Sequence, residues 1–108
     1  MFHTHWHIFH LYKNIEIAFG WDDFKELDNI KKHGISFKKA SYVFTDINRI
    51  EYYDYIHSNY EQRYITVGMA NEIICVAYTV RNERIRIISA RAADNNEKEN
   101  YIKWVGLH

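Results

Sequence analysis

The sequence has little of what would cross-link a small protein or anchor it in a membrane. Cys75 is the one cysteine in 108 residues, so an intramolecular disulfide is excluded and a reducing compartment is favoured. There is no proline to interrupt helices or strands. No apolar run approaches the roughly twenty residues that a membrane-spanning helix requires. A signal peptide would need basic residues near its start, but no lysine or arginine precedes Lys13. The prediction is a cytoplasmic protein without a membrane partner.

A surplus of charge is also missing, because 14 Lys and Arg residues balance 14 Asp and Glu residues. Phosphate binding usually leaves a basic surplus, so this balance counts against nucleic-acid binding unless basic residues cluster on one face. Apolar and aromatic side chains, by contrast, are abundant: 47% of the residues are hydrophobic and 17% are aromatic. This composition predicts a packed core, and the length predicts a single domain.

Hydrophobic periodicity predicts helices near the start and end of the chain, with strands between them. Phe24, Leu27 and Ile30 are spaced as the buried stripe of a first helix that Gly34 ends with a left-handed cap. Ser36 is suited to begin a second helix that ends near residue 44. Residues 94–97 have the spacing of a capping box before a last helix.

Alternating or continuously apolar segments predict the strands at residues 15–19, 49–55, 62–69, 72–80 and 84–91. Residues 73–80 are apolar on both faces, which favours a central position in the sheet. Short connections between the later strands predict antiparallel hairpins, and the separation of helices from strands indicates an α+β fold. Residues 1–14 are predicted to be a His-rich N-terminal extension, and residues 15–108 to be the folded domain.

A set of polar, aromatic and glycine positions runs through most of the chain. Its members are Trp21, Asp22, Lys25, Asn29, Lys32, His33, Gly34, Phe37, Ala40, Phe44, Asp54, His57, Ser58, Glu61, Arg63, Gly68, Tyr78, Thr79 and residues 85–91. The densest pieces read KHGISF and IRIISAR. In this order and spacing the pattern resembles the BrnT toxin family. Many relatives have a basic residue where this chain has Met69 and a lysine where it has Ala92.

The resemblance implies a fold like that of the RelE and ParE toxins: a twisted antiparallel sheet with two N-terminal helices and one C-terminal helix. It also implies a ribonuclease that lowers translation in bacteria. The implied partners are RNA and a DNA-binding, BrnA-like antitoxin that sequesters the toxin in a hetero-oligomer. No cofactor and no metal site are expected.

Metal-independent RNA cleavage needs a base for the 2′-hydroxyl, a cation for the phosphate oxygens and an acid for the departing 5′-oxygen. The candidate catalytic residues are His33, Glu61, Arg63 and Arg91. The candidate RNA-binding residues are Lys25, Lys32, Arg86 and Ser89. The resemblance supports a functional role for Lys32 and His33, and a strand-end position favours Arg91. Arg86 and Arg91 share a face of one strand only if a bulge lies near residues 89–90.

Other interpretations remain open at this point. The basic side of the first helix also fits a solvated surface, and Glu61 with Arg63 also fits an exposed ion pair of little energetic value. A catalytically silent module that binds RNA or the antitoxin is the second hypothesis, which the missing basic residues at positions 69 and 92 favour. The third is a metal-binding regulator that acts through His3, His5, His7 and His10, although closed metal sites usually include cysteine or carboxylate ligands.

Overall fold

Over the residues that are described, the protein has six β-strands in one sheet and three α-helices. The computed structural model describes residues 4–12 and 15–107, and the side chains of residues 17–107. The elements are β1 (Thr4–Tyr12), β2 (Ile15–Asp22), α1 (Asp23–His33), α2 (Phe37–Ser41), a 3₁₀ turn (Tyr42–Thr45), β3 (Ile50–Tyr53), β4 (Tyr64–Met69), β5 (Ile73–Arg81), β6 (Arg84–Ala92) and α3 (Asn95–Leu107). The predicted α+β class, with two early helices and one late helix, is confirmed.

The strand order across the sheet is β1-β2-β6-β5-β4-β3. Four neighbouring pairs are antiparallel, as the short connections predicted. β2 and β6 are parallel, with Phe19 opposite Ile85 and Gly20 opposite Arg86, so the prediction of a purely antiparallel sheet is wrong at this pair. Most of the chain separates these two strands, and a connection of this length allows them to pair either parallel or antiparallel. The central position predicted for β5 is confirmed.

The segment that was predicted to be a His-rich extension contributes a strand to the sheet. β1 pairs antiparallel with β2, from Thr4 opposite Asp22 to Tyr12 opposite Ile15, and forms one edge of the sheet. The histidine side chains of this segment are not among the side chains that the structure describes. The metal-binding hypothesis, which depends on them, therefore lies outside the described residues. The domain boundary at residue 14 stays a prediction.

Apolar side chains cover both faces of the sheet. On the first, here called the α2 face, α2 and the 3₁₀ turn pack against the strands, and the rings of Phe44 and Tyr78 meet edge to face with their centroids 4.9 Å apart. On the second, here called the α3 face, Tyr101 packs with Val67 and Cys75. A core on each face is what allows β5 to be apolar on both sides.

Side-chain and backbone hydrogen bonds cap both ends of helix α1, and it ends at Gly34 as the sequence predicts. Asp22 is its N-cap, and the Asp22 carboxylate accepts a hydrogen bond from the Lys25 backbone N–H at 3.0 Å. Gly34 ends the helix with φ of 70°, and its N–H donates to the Ile30 carbonyl at 2.8 Å. Positive φ is a conformation that glycine adopts without steric cost, which explains the glycine at this position.

The way α1 faces the sheet differs from the prediction. Phe24, Leu27 and Ile30, expected to be buried, are 82%, 57% and 40% exposed. The side chain that α1 buries is Asn29. Its amide donates to the Ala90 carbonyl at 2.8 Å and accepts from the Ala90 N–H at 3.1 Å, as a neighbouring strand would.

This inversion has a physical cause. β2 pairs with β6 only at residues 19–20, so the edge of β6 beyond this pairing still has backbone groups to satisfy. A buried backbone amide or carbonyl without a partner costs about 1–3 kcal/mol. Asn29 satisfies both groups of Ala90 and also donates to the Ile35 carbonyl at 3.0 Å. Hydrogen bonding, not hydrophobicity, therefore decides which side of α1 meets the sheet.

Replacing Asn29 with alanine should lower the free energy of unfolding by about 3 kcal/mol, because three buried hydrogen bonds are lost at once. Urea denaturation followed by circular dichroism measures this change. Asn96→Ala, at an exposed position of α3, is the matched control and should change stability by less than about 0.5 kcal/mol. Equal stability of the two variants would contradict the role given to Asn29.

Candidate functional site

A β-bulge in β6 determines which arginines share a face of the sheet. Ala77 pairs with Ser89 and the next residue, Tyr78, pairs with Ile87, so Ile88 is an extra residue in β6. The bulge reverses the alternation of side chains beyond it. Arg86, Ser89 and Arg91 consequently all lie on the α3 face, which satisfies the condition that the sequence set for Arg86 and Arg91.

The segment between β3 and β4 is a closed loop that is fixed to the α3 face. The Asp54 N–H donates to the Arg63 carbonyl at 2.9 Å. The Ser58 hydroxyl donates to the Asp54 carbonyl at 2.6 Å and accepts from the Arg63 N–H at 2.9 Å. The Thr79 hydroxyl donates to the Gln62 carbonyl at 2.7 Å, which ties the loop to β5. These bonds fix the positions of residues 54–63 relative to the sheet.

Positive charges gather where this loop meets β6 and α1. Arg86 is only 5% exposed, and burial, followed by the charge of Arg81, lowers the pKa of its guanidinium. Burial and the charges of Arg86 and Arg63 lower the pKa of Lys25. Glu61 balances part of this charge and accepts two hydrogen bonds from the Arg81 guanidinium, at 2.9 and 3.1 Å. Lys25, Arg63, Arg81 and Arg86 are here called the cation cluster, and the charges of Asp22 and Glu61 act on it.

Two clefts adjoin the cation cluster. The first, of about 260 Å³, lies between α1 and β6 and is here called the α1 cleft. Four of the residues predicted from the sequence line it: Lys25, Lys32, His33 and Ser89. Lys32 forms an exposed ion pair with Asp28 at 2.9 Å, which is weak because solvent screens it.

The second cleft, of about 290 Å³, lies in the closed loop and is here called the loop cleft. Glu61 and Arg63 line it together with His57 and Tyr60. The ring of His57 hydrogen-bonds through Nδ1 to the Asp54 carboxylate, at 2.9 Å to Oδ2 and 3.1 Å to Oδ1. A histidine held by a carboxylate is a common arrangement for proton transfer. Sequence reasoning assigned no role to His57, although the spacing from Asp54 to His57 was visible within the family pattern.

Arg91 lies away from both clefts. Its guanidinium donates to both carboxylate oxygens of Glu97, at 2.7 and 3.1 Å, and this hydrogen bonding is the main cause that raises its pKa. Glu97 is also part of the predicted capping box of α3, which is confirmed. The position of Arg91 on β6 is roughly 13 Å along the sheet from that of Arg86. Arg91 therefore fastens α3 to the sheet. It lines neither cleft, and His33 lines a different cleft from Glu61 and Arg63, so the four candidate catalytic residues do not form a single pocket.

The eight residues predicted from the sequence thus fall into four places. The α1 cleft contains four of them, the loop cleft contains Glu61 and Arg63, and buried Arg86 belongs to the cation cluster with Arg63 and Lys25. Arg91 is separate. Among residues 17–107, no three His, Cys, Asp or Glu side chains are grouped as metal ligands would be. Of the helices in the described part of the chain, none combines the length and the apolar character that crossing a membrane requires.

Comparison with known proteins shows which family this sequence matches. Residues 21–97 match the sequence model of a family described as ribonuclease toxin, BrnT, of type II toxin–antitoxin systems. A crystal structure of the Brucella abortus ribonuclease toxin BrnT, at 1.1 Å resolution, superposes with a TM-score of 0.55. The two sequences are 24% identical, and the alignment covers 69% of this chain and 94% of the Brucella chain, a likeness that shows the fold. No curated protein matches this sequence.

Replacing Arg86 with glutamine should raise the pKa of Lys25. The sign follows because a neighbouring positive charge disfavours the protonated ammonium, and removing that charge restores it. Burial is the larger cause, so the pKa should stay below the ordinary lysine value. NMR titration of the Lys25 side chain measures the change, and Arg84→Gln, two residues along β6, is the matched control. An unchanged Lys25 pKa in Arg86→Gln would contradict the proximity of these two charges.

Proposed function

This chain belongs to the BrnT family of ribonuclease toxins of type II toxin–antitoxin systems, and we propose that it is an endoribonuclease that cleaves RNA by metal-independent acid–base chemistry and so inhibits translation. The observation that supports this proposal is the cation cluster, which combines Lys25, Arg63, Arg81 and Arg86 beside the carboxylate of Glu61. Phosphodiester cleavage builds negative charge on the phosphate, and fixed cations at that point stabilise the transition state.

Each part of the site has a proposed role. Arg63 binds the scissile phosphate, because a guanidinium can donate two hydrogen bonds to two phosphate oxygens. Glu61 accepts the proton of the 2′-hydroxyl. Lys32 and His33, in the α1 cleft, contact the RNA strand beyond the scissile bond, and Ser89 can donate a hydrogen bond there. Arg86 is nearly buried, so its contribution is to the electrostatic field at the phosphate.

Purified protein should cleave RNA in the presence of EDTA, and Arg63→Gln should lower the rate about 100-fold, as loss of a charged transition-state contact typically does. Gel analysis of end-labelled RNA measures both the rate and the internal position of the cut. Lys98→Gln, which removes the same charge from an exposed position of α3, should cleave at the wild-type rate. Protein that binds RNA but leaves it intact would instead support the catalytically silent module.

We further propose that a BrnA-like antitoxin binds the exposed side of α1. Phe24, Leu27 and Ile30 form an apolar row there, and exposed apolar surface of this kind marks protein contacts. The last turn of α1 is basic, with Lys31, Lys32 and His33, so a partner with apolar side chains flanked by acidic ones fits this surface. The opposite side of the helix lines the α1 cleft, so a protein bound on the apolar row would obstruct RNA where it extends around the helix.

Leu27→Asp should weaken antitoxin binding at least tenfold, because it places a carboxylate in the middle of the apolar row. The dissociation constant can be measured by calorimetry with a purified BrnA-like antitoxin. Ile102→Asp, at an apolar position of α3 that is 61% exposed, is the control and should leave binding unchanged. Antitoxin that binds Leu27→Asp as tightly as the wild type would exclude α1 as its site.

A further inference from the structure

The pairing of His57 with Asp54 gives the loop cleft a residue for proton transfer that the family pattern alone did not assign. We propose that His57 is the general acid that protonates the departing 5′-oxygen of the RNA, with Asp54 as its positioning residue. This inference rests on the proposed ribonuclease function and names the proton donor at that same site.

The first support for this role is the geometry of the imidazole. Nδ1 lies 2.9 and 3.1 Å from the two oxygens of the Asp54 carboxylate. A carboxylate in this position orients the ring and offsets the positive charge of its protonated form, as in other sites where histidine transfers protons. Nε2 remains the atom for contact with substrate, and the side chain of His57 is 63% exposed while that of Asp54 is 14% exposed.

The second support is location. His57 lines the same cleft as Glu61 and Arg63, the proposed base and phosphate ligand. Ser58 bridges the backbone of Asp54 and Arg63, so the acid, the base and the cation are held by one closed loop. A short loop that is closed by its own hydrogen bonds can hold reacting groups in fixed relative positions, which catalysis requires.

His33, the histidine favoured by the sequence, has neither feature. It lies in the α1 cleft, apart from Glu61 and Arg63. Within residues 17–107, no carboxylate forms a hydrogen bond or ion pair with its ring, whereas His57 has one. The structure therefore favours His57 for proton transfer and leaves His33 a contact with the RNA strand.

The proposed step balances as follows. Glu61 takes the proton of the 2′-hydroxyl, and the 2′-oxygen forms a bond to phosphorus. The bond from phosphorus to the 5′-oxygen breaks, and its electron pair stays on that oxygen. His57 transfers its Nε2 proton to the 5′-oxygen. The products are a 2′,3′-cyclic phosphate and a 5′-hydroxyl, and no co-reactant is consumed.

A substrate that does not need an acid tests this assignment. The position of a cut is first mapped on an RNA with the wild-type protein, and the RNA is then made with sulfur in place of the bridging 5′-oxygen at that position. A thiolate departs without protonation. His57→Gln should cleave the ordinary RNA about 100-fold more slowly than the wild type, as loss of a general acid does. It should cleave the sulfur-containing RNA within about threefold of the wild-type rate.

Two further variants separate the acid from other roles. Glu61→Gln should be slow on both substrates, because the 2′-hydroxyl must lose its proton in each. His33→Gln should lower both rates by the same factor, since its proposed contact does not depend on the leaving group. Asp54→Asn should show a smaller loss than His57→Gln on ordinary RNA, with the same recovery on the sulfur-containing RNA.

The outcomes are distinct. A loss in His57→Gln that is equal on both substrates would show a structural role and overturn the proposal, as would a rate on ordinary RNA that matches the wild type. Thermal denaturation of each variant checks that it is folded under the assay conditions, so that the cleavage rates compared are those of folded proteins. If the wild-type protein cuts neither RNA, both this inference and the proposed function are wrong.

Discussion

The arrangement of the site depends on the hydrogen bonds between the Asn29 side chain and the backbone of Ala90. They dock α1 against the edge of β6 at the point where β2 no longer pairs with it. Because the polar side of the helix meets the sheet, Lys25 is brought to Arg86, and the α1 cleft forms between helix and strand. The same bonds leave Phe24 and its apolar neighbours facing solvent. One amide thus determines both the proposed RNA surface and the proposed antitoxin surface.

The second constraint is electrostatic. A chain with no net charge concentrates several cations around two acidic residues, Asp22 and Glu61, and like charges at close range destabilise the folded protein. Burial adds to this cost at Arg86 and Lys25, and the lowered pKa values of both groups express it. A bound phosphate would offset these charges. In the proposed reaction, cations that are already held in place stabilise the charge that builds on the phosphate.

Much of the local structure could be predicted because short-range chemistry determines it. The caps of α1 and α3, the left-handed Gly34 and the central β5 follow from side chains that act on their own or adjacent backbone. The three predictions that were wrong are the direction of β2 relative to β6, the buried side of α1 and the position of Arg91, and all three concern how separate elements pack together. The orientation of α1 depends on a strand sixty-one residues away from Asn29, and the partner of Arg91 is on a helix whose packing no periodicity reveals. The bulge at Ile88 has no sequence signal of its own, yet it decides which arginines share a face.

The sequence by itself determined the α+β class, the ends of most elements and the inventory of basic and acidic groups, because these depend on neighbours in the chain. Only the tertiary structure decided which of those groups meet. It separated Arg91 from Arg63, placed His57 rather than His33 beside Glu61, and turned the apolar side of α1 outward. The physical reason is that the packing of the whole sheet selects which of the possible hydrogen bonds and ion pairs form, and residue spacing alone does not decide between them.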